Sequence, residues 1–336
     1  MSGLLPRGVV TGLGAIQGTD PLVAARIAID EAPDLPHVPE LPQRGPWAEP
    51  IGRLSALLID LPLEIEVGRW RTSAAVGRDL RRARALLAED LDAVEEQWNG
   101  YEGPAKLQVC GPLTATGSIE LRSGDALASD AAARTDLTAS LVEGLVSHLA
   151  ELRRRVPGAL WCVQLDEPRA ASVTRGQLAR PSGWGTYPAI AHTAAVSMLH
   201  KVVDTVHGLE AAVIVHCCDL EPDWSLLGDS GAEALSVAVD QLDLGSSDVA
   251  DRLSAWWGQG GDLWCDIDPS ASGPLDENAP AQPGRLGILR SLVGSDAEAF
   301  ADRLVLTPRC AIGGEGPVRL QAYADVRSVM ERLPET

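Results

Sequence analysis

What this chain lacks narrows it first. No run approaches the ~18 consecutive apolar residues that a membrane-spanning helix needs. The opening stretch MSGLLPRGVV has no basic segment followed by a long apolar one, so no secretory signal is expected. Positive charge is scarce: 28 Lys plus Arg stand against 47 Asp plus Glu, a formal net charge of −19. Such a surface repels phosphate backbones and anionic lipid, which argues against nucleic acid and membranes as partners. Its plain consequence is solubility. Lysine is nearly absent, with only Lys106 and Lys201, an arginine bias of the kind a GC-rich genome produces. No internal repeat or low-complexity segment stands out. The expected location is cytoplasmic.

What is present is enough apolar residue for a sizeable core. A chain of 336 residues, 45% hydrophobic and with a mean hydropathy of +0.02, suits one large α/β barrel or two small domains. Strand-like apolar runs fall at 8–15, 54–65, 105–111, 159–166, 211–218, 234–240, 262–268 and 303–310. Helix-period runs separate them. Leu137, Leu141, Leu145, Leu149 and Leu152 recur at helical spacing, and Asp20-Pro21 has the cap-then-proline form of a helix start. This alternation predicts an α/β fold, a single (β/α)8 TIM barrel over 1–336, with a doubly wound open sheet as the alternative. The Pro/Gly-rich stretches 32–50 and 269–284 read as long loops rather than domain linkers.

The six cysteines, without a secretory signal, are expected to be thiols rather than a disulfide framework. All six, Cys110, Cys162, Cys217, Cys218, Cys265 and Cys310, lie in or at the ends of the candidate strands. In a barrel those C-terminal ends form one face, which carries the active site. His216 and Cys218 are two apart and so point to one side of a strand, while Cys217 points away. Imidazole and thiolate together suit zinc better than magnesium or calcium, and Cys310 could supply a third ligand. Cys110, Cys162, Cys217 and Cys265 read as small buried hydrophobes.

In this order, the segments VQLDEP (163–168), VHCCDL (215–220) and LTPRC (306–310) resemble the catalytic barrel of the cobalamin-independent methionine synthase family. LQVCGPLTA (107–115) is similar to that family's G-P-x-T segment, and VTGLGAIQGTDP (10–21) to its N-terminal I-G-S-x-P loop. The resemblance spans most of the chain but only the second barrel of the full-length enzymes, as in short single-barrel actinobacterial relatives. It implies a UROD/methionine-synthase-like barrel and a zinc-dependent transfer of a methyl group to the thiol of homocysteine, giving methionine. By the same resemblance zinc is held by His216, Cys218 and Cys310, with Asp240 standing where the family has a Glu. Coordination would deprotonate a thiol that is otherwise mostly protonated at neutral pH. Asp166 matches the Asp that pairs with the homocysteine ammonium, and Glu167 lies beside it. The loop at Gly14 and Ala15 would present backbone amides to the substrate carboxylate, with Ala15 replacing the family's Ser.

Two departures bear on the methyl donor. TATGSIE (114–120) lacks the Trp that follows G-P-x-T in the family and stacks on the pterin. In DIDPS (266–270) Asp268 replaces the His assigned to protonate the leaving folate nitrogen. A methyl on cobalt needs neither group, so methylcobalamin or a corrinoid protein is expected to serve better than methyltetrahydrofolate. Trp184 and Tyr187, in SGWGTYP (182–188), offer another stacking surface or simply pack a loop. The alternative function is a degenerate barrel that binds zinc or a thiol without turnover.

Overall fold

The computed structural model describes residues 5–268, 284–309 and 320–333. Its strands are β1 (Val9–Val10), β2 (Leu63–Glu66), β3 (Arg69–Thr72), β4 (Gly103–Cys110), β5 (Ala159–Asp166), β6 (Val213–Cys217), β7 (Ala234–Ala238), β8 (Asp262–Ile267) and β9 (Leu304–Pro308). Twelve helices interleave with them among the described residues. They are α1 (Pro21–Glu31), α2 (Pro50–Leu57), α3 (Arg78–Gln97), α4 (Pro112–Ser118), α5 (Ala131–Arg155) and α6 (Ala170–Thr174). The others are α7 (His192–Gly208), α8 (Trp224–Gly228), α9 (Ser247–Gly258), α10 (Arg285–Val293), α11 (Ala297–Arg303) and α12 (Leu320–Arg332).

Seven strands pair in the order β1-β9-β8-β7-β6-β5-β4, every pair parallel. Parallel strands are buried on both faces, and the period-2 alternation sorts their side chains. Leu107, Val163, Val215, Leu235, Leu263 and Leu306 belong to the core shared with the surrounding helices. The opposite face carries a second apolar cluster that includes Cys162, Ile214, Ala234, Trp264 and Val305. Toward the C-terminal ends that inner face turns polar, with Gln164, Asp166, His216, Ser236, Asp266 and Thr307 all buried.

One expected strand is not a strand. Residues 54–65 divide into the end of α2, a turn and the start of β2, which pairs only with β3 in a separate antiparallel hairpin. Pro50 occupies the first turn of α2, and Leu54 and Leu58, a helical i,i+4 pair, are both buried. The place in the sheet is taken instead by residues 36–40, from the stretch expected to be a loop. Val38 donates to the Lys106 carbonyl at 2.9 Å and Lys106 to that of Pro36 at 2.8 Å. On the other side Glu40 donates to Gly14 and Ile16 to Glu40, both at 2.9 Å. The segment thus reaches both edges of the curled sheet, but through isolated bridges. Pro36 and Pro39 have no N–H, which prevents a full ladder. Among the described residues the pairing is therefore a seven-stranded half-barrel with its edges spanned, rather than eight paired strands.

The helix starts follow their caps. Asp20 accepts from the amides of Leu22 and Val23 at 2.9 and 3.3 Å, with Pro21 at the first position of α1. On α5 the five leucines at 137, 141, 145, 149 and 152 form one fully buried stripe, each contributing about 1.5–3 kcal/mol of gross burial. Among the described residues no helix is long and apolar enough to cross a membrane.

Candidate functional site

At the C-terminal ends of the strands lies a cleft of about 630 Å³ whose lining includes Trp70, Cys110, Asp166, Arg169, Cys218 and Gln241. These residues come from β3, β4, β5, the segments after β5 and β6, and the turn after β7. Parallel strands bring all but Trp70 together, because every strand of the sheet delivers its last residues to the same edge; Trp70 arrives from the separate β2–β3 hairpin. The register places Asp166 directly beside His216, and His216 beside Ser236.

Asp166 is 5% exposed at the cleft floor. Its Oδ1 accepts from Gln164 Nε2 at 2.7 Å. Burial pushes its carboxyl up to about 7, against the opposing pull of His216, Gln164 and Lys106. Glu167, the next residue, is turned elsewhere. Its Oε1 accepts from the Leu113 amide at 2.9 Å and its Oε2 from the Thr114 amide at 2.7 Å. It therefore caps α4, although burial still raises it to about 7. A Cβ at Gly111 would collide with this carboxylate, which is why the G-P-x-T turn begins with glycine.

His216 is fully buried at the end of β6, its Nδ1 3.0 Å from Ser236 Oγ. The Nε2 atom is buried and makes no hydrogen bond of ordinary geometry. Burial alone would disfavour the charged ring, but the neighbouring Cys218 thiol, then Asp266 and Asp166, outweigh it and raise His216 to about 9. Cys218 lies on the cleft wall and the buried His216 ring interacts with its thiol from behind, a nitrogen and sulfur pair of the kind that suits a soft cation. Cys110, Cys162, Cys217 and Cys265 are buried, and burial raises each of these thiols.

The remaining expected ligands are differently placed. Asp240 is engaged within the protein: its Oδ2 accepts from the Asp268 amide at 2.6 Å, and its Oδ1 lies 3.9 Å from Arg285 Nε. Cys310 lies outside the described residues. Arg309, immediately before it, sits 3.6 Å from the Asp268 carboxylate. The Gln241 amide, oriented by its partners, donates to the Cys218 carbonyl and accepts from Arg309, both at 3.1 Å. The strand end that leads to Cys310 is thus tied to Cys218 through one side chain. Among the described residues no group of three or more His, Cys, Asp or Glu side chains is arranged to share a metal.

The loop at Gly14 and Ala15 packs against residues 36–43. Ile16 and Gly18 commit their amides to the Glu40 carbonyl and to Gln43 Oε1, the latter at 2.8 Å. Gly14 has φ +137°, and a Cβ there would stand 2.8 Å from the Gln108 side chain. Tyr187 is buried, accepting from the Ala126 amide and donating to Asp125, while Trp184 is 85% exposed. Neither lines the cleft.

Sequence reasoning passed over Lys106, Gln164 and Trp70. Lys106 is fully buried on β4, and its Nζ donates to Gln164 Oε1 at 2.7 Å. Burial lowers it to about 8, with Asp166 the first of the groups that oppose. A lone lysine inside the apolar run AKLQVC was the available signal. Trp70 supplies an indole to the cleft wall from the β2–β3 hairpin, a segment remote from the residues that follow the G-P-x-T turn.

No family model matches the sequence, and no curated protein matches it. Among solved structures it is similar to a B12-independent methionine synthase from Shewanella sp. W3-18-1 in complex with selenomethionine. That likeness has 15% identity and a TM-score of 0.44, and covers 79% of this chain and 71% of that one. A GH5_18 protein from Bifidobacterium longum subsp. infantis has 11% identity and a TM-score of 0.47, covering 97% and 79%. An oxaloacetate acetylhydrolase has 11% identity and a TM-score of 0.39, covering 96% and 82%. Likenesses of similar degree to proteins of three different activities do not choose among them.

Proposed function

We propose that this chain is a zinc-dependent methyltransferase that delivers a methyl group to the thiol of homocysteine, forming methionine on a single barrel. The observation that carries the reading is that Asp166 and Cys218 line one cleft from adjacent strand ends, with the fully buried His216 beside Asp166 in register and its ring next to the Cys218 thiol. The ordered segments around them, which resemble the methionine synthase barrel, support it.

His216 and Cys218 fit a zinc ion, and Cys310 completes a thiolate-rich set of the kind zinc takes. A bound zinc would supply a thiolate at neutral pH from a thiol that is otherwise mostly protonated. Asp240 fits less well, because its oxygens already serve Asp268 and Arg285. Ser236 holds Nδ1 of His216 and so directs Nε2 toward Cys218. Asp166 pairs with the substrate ammonium, a charge-assisted contact strengthened by the low dielectric of the cleft floor. Gly14 and Ala15 would meet the substrate carboxylate through their own backbone amides, because those of Ile16 and Gly18 are already committed. Asp268 handles the proton at the donor side, held in place by Arg309. The methyl donor is a corrinoid protein, methylcobalamin or methyltetrahydrofolate. With a net charge of −19 and no membrane-spanning helix among the described residues, nucleic acid and membranes are not proposed as partners.

A second reading, a zinc- or thiol-binding barrel without turnover, is favoured by the engagement of Asp240. One experiment separates the two: metal content and methionine formation measured together. The purified protein should hold about one zinc per chain. Cys310→Ser should lose most of it, whereas Cys217→Ser, altering a buried thiol on the helix-facing side, should keep it. Equal zinc in both variants sinks the ligand assignment. Zinc without methionine from any donor establishes the binding-only reading.

A further inference from the structure

The inner face of the sheet carries one lysine below Asp166, and its contacts fix how that carboxylate is held. Lys106 Nζ donates to Gln164 Oε1 at 2.7 Å across the β4–β5 pair. Gln164 in turn donates through Nε2 to Asp166 Oδ1 at 2.7 Å and to the Leu13 carbonyl at 3.0 Å. All three side chains are buried, so water does not substitute for any of them freely.

A primary amide has nearly the same outline whichever way its oxygen and nitrogen lie, so shape alone cannot orient it. Its partners can. A lysine ammonium has donors only and faces the oxygen; the Leu13 carbonyl and the Asp166 carboxylate have acceptors only and face the nitrogen. Without the ammonium, Gln164 Oε1 would be a buried acceptor with no donor, and only the two acceptors on its nitrogen would hold the amide that aims Asp166. A buried cation is a poor choice if stability were all that mattered, because an apolar side chain of similar volume packs here at less desolvation cost. Its presence calls for a role.

We propose that Lys106 is a positioning residue for substrate selection: it locks Gln164, and the locked amide aims Asp166 so that thiols bearing an adjacent primary ammonium are preferred. The inference rests on the reading of Asp166 as the ammonium-binding group. Lys106 does not touch the substrate.

The test compares binding of L-homocysteine with that of 4-mercaptobutyrate, which lacks only the amino group, by calorimetry on the zinc-loaded protein. Lys106→Met, Gln164→Leu and the double variant are measured beside the wild type, with thermal unfolding to establish folding. Each single variant should reduce the preference for homocysteine about tenfold, leaving 4-mercaptobutyrate affinity within about twofold, and the double variant should lose no more than the worse single, as expected of residues acting as one unit. Should Lys106→Met not fold, Gln164→Leu carries the same comparison. Unchanged preference in the folded variants overturns the inference, as does equal weakening toward both thiols, which marks a purely structural role. Losses that multiply in the double variant overturn it too. A wild type that binds both thiols equally overturns the ammonium reading itself, an outcome distinct from a selective wild type with selective variants.

Discussion

Asp166 and Glu167 are adjacent carboxylates that burial raises to about the same value, yet Asp166 lines the cleft while Glu167 caps α4, and the proposed function gives only the first a substrate to hold. Asp166→Asn and Glu167→Gln therefore make a discriminating pair. Glu167 receives two backbone amides from the start of α4 through its two oxygens. Glutamine keeps one oxygen and turns an NH2 group on the other amide, so one buried donor loses its acceptor. That costs about 1–3 kcal/mol. At about 2.1 cal/mol/K of unfolding entropy per residue, a chain of this length should lose roughly 1–4 °C of melting temperature. Homocysteine affinity should stay near wild type, because Glu167 faces the helix rather than the cleft. Asp166→Asn should do the reverse. It removes a charge-assisted contact of about 1.5–3 kcal/mol, or roughly ten- to hundredfold in affinity. It should leave the melting temperature level or slightly higher, since burial already disfavours the ionised carboxyl. Differential scanning fluorimetry and calorimetric titration with homocysteine read both quantities. The reasoning is refuted if Glu167→Gln weakens binding as much as Asp166→Asn while melting normally.

Two further outcomes are expected. His148, buried on α5, is lowered by burial, then by Arg53, to about 4. The unfolded chain therefore binds its proton first, and stability should fall as pH drops from about 6.5 toward 4, by up to roughly 3 kcal/mol for this group. Denaturant melts across that window, repeated on His148→Gln, check it; an unchanged slope in the variant would show that other groups, such as the similarly lowered His37, carry the effect. At the cleft wall, Trp70→Leu should slow methionine formation from methyltetrahydrofolate, a planar donor able to stack on an indole, more than from methylcobalamin. Equal slowing with both donors would mean that Trp70 only shapes the wall.

Much of the sheet was legible because strands buried on both faces appear as dense apolar runs. Those at 105–111, 159–166, 211–218 and 262–268 match β4, β5, β6 and β8 to within two residues. The run at 54–65 misled for a physical reason. Its apolar residues fit a helical i,i+4 spacing as well as a strand, and the proline that starts α2 lies just before that run. Residues 36–40 were illegible for the complementary reason. A proline-interrupted segment has no strand signature, and only its neighbours' unpaired carbonyls and amides draw it between the sheet edges.

The site divides along a similar line. Asp166 and Cys218 could be placed in one cleft because strand ends in a parallel sheet share an edge, a consequence of topology alone. The partners of Glu167 and Asp240 could not, because a carboxylate at a strand end serves a substrate, a metal or a helix terminus with the same three letters of sequence. Only the position of the next helix decides. For Glu167 that helix is α4, delivered by the neighbouring strand β4 rather than by its own. Lys106 shows the opposite failure. Counted with Lys201 as composition, it carried no meaning; placed by period-2 alternation, it stands on the face of Gln164 and Asp166, the two polar residues that follow on β5. Burying a charge in an apolar strand costs free energy, and the run AKLQVC displays that cost in its own letters. The rule this chain supports is that a charge interrupting a core strand should be traced across the strand pair to the group it serves.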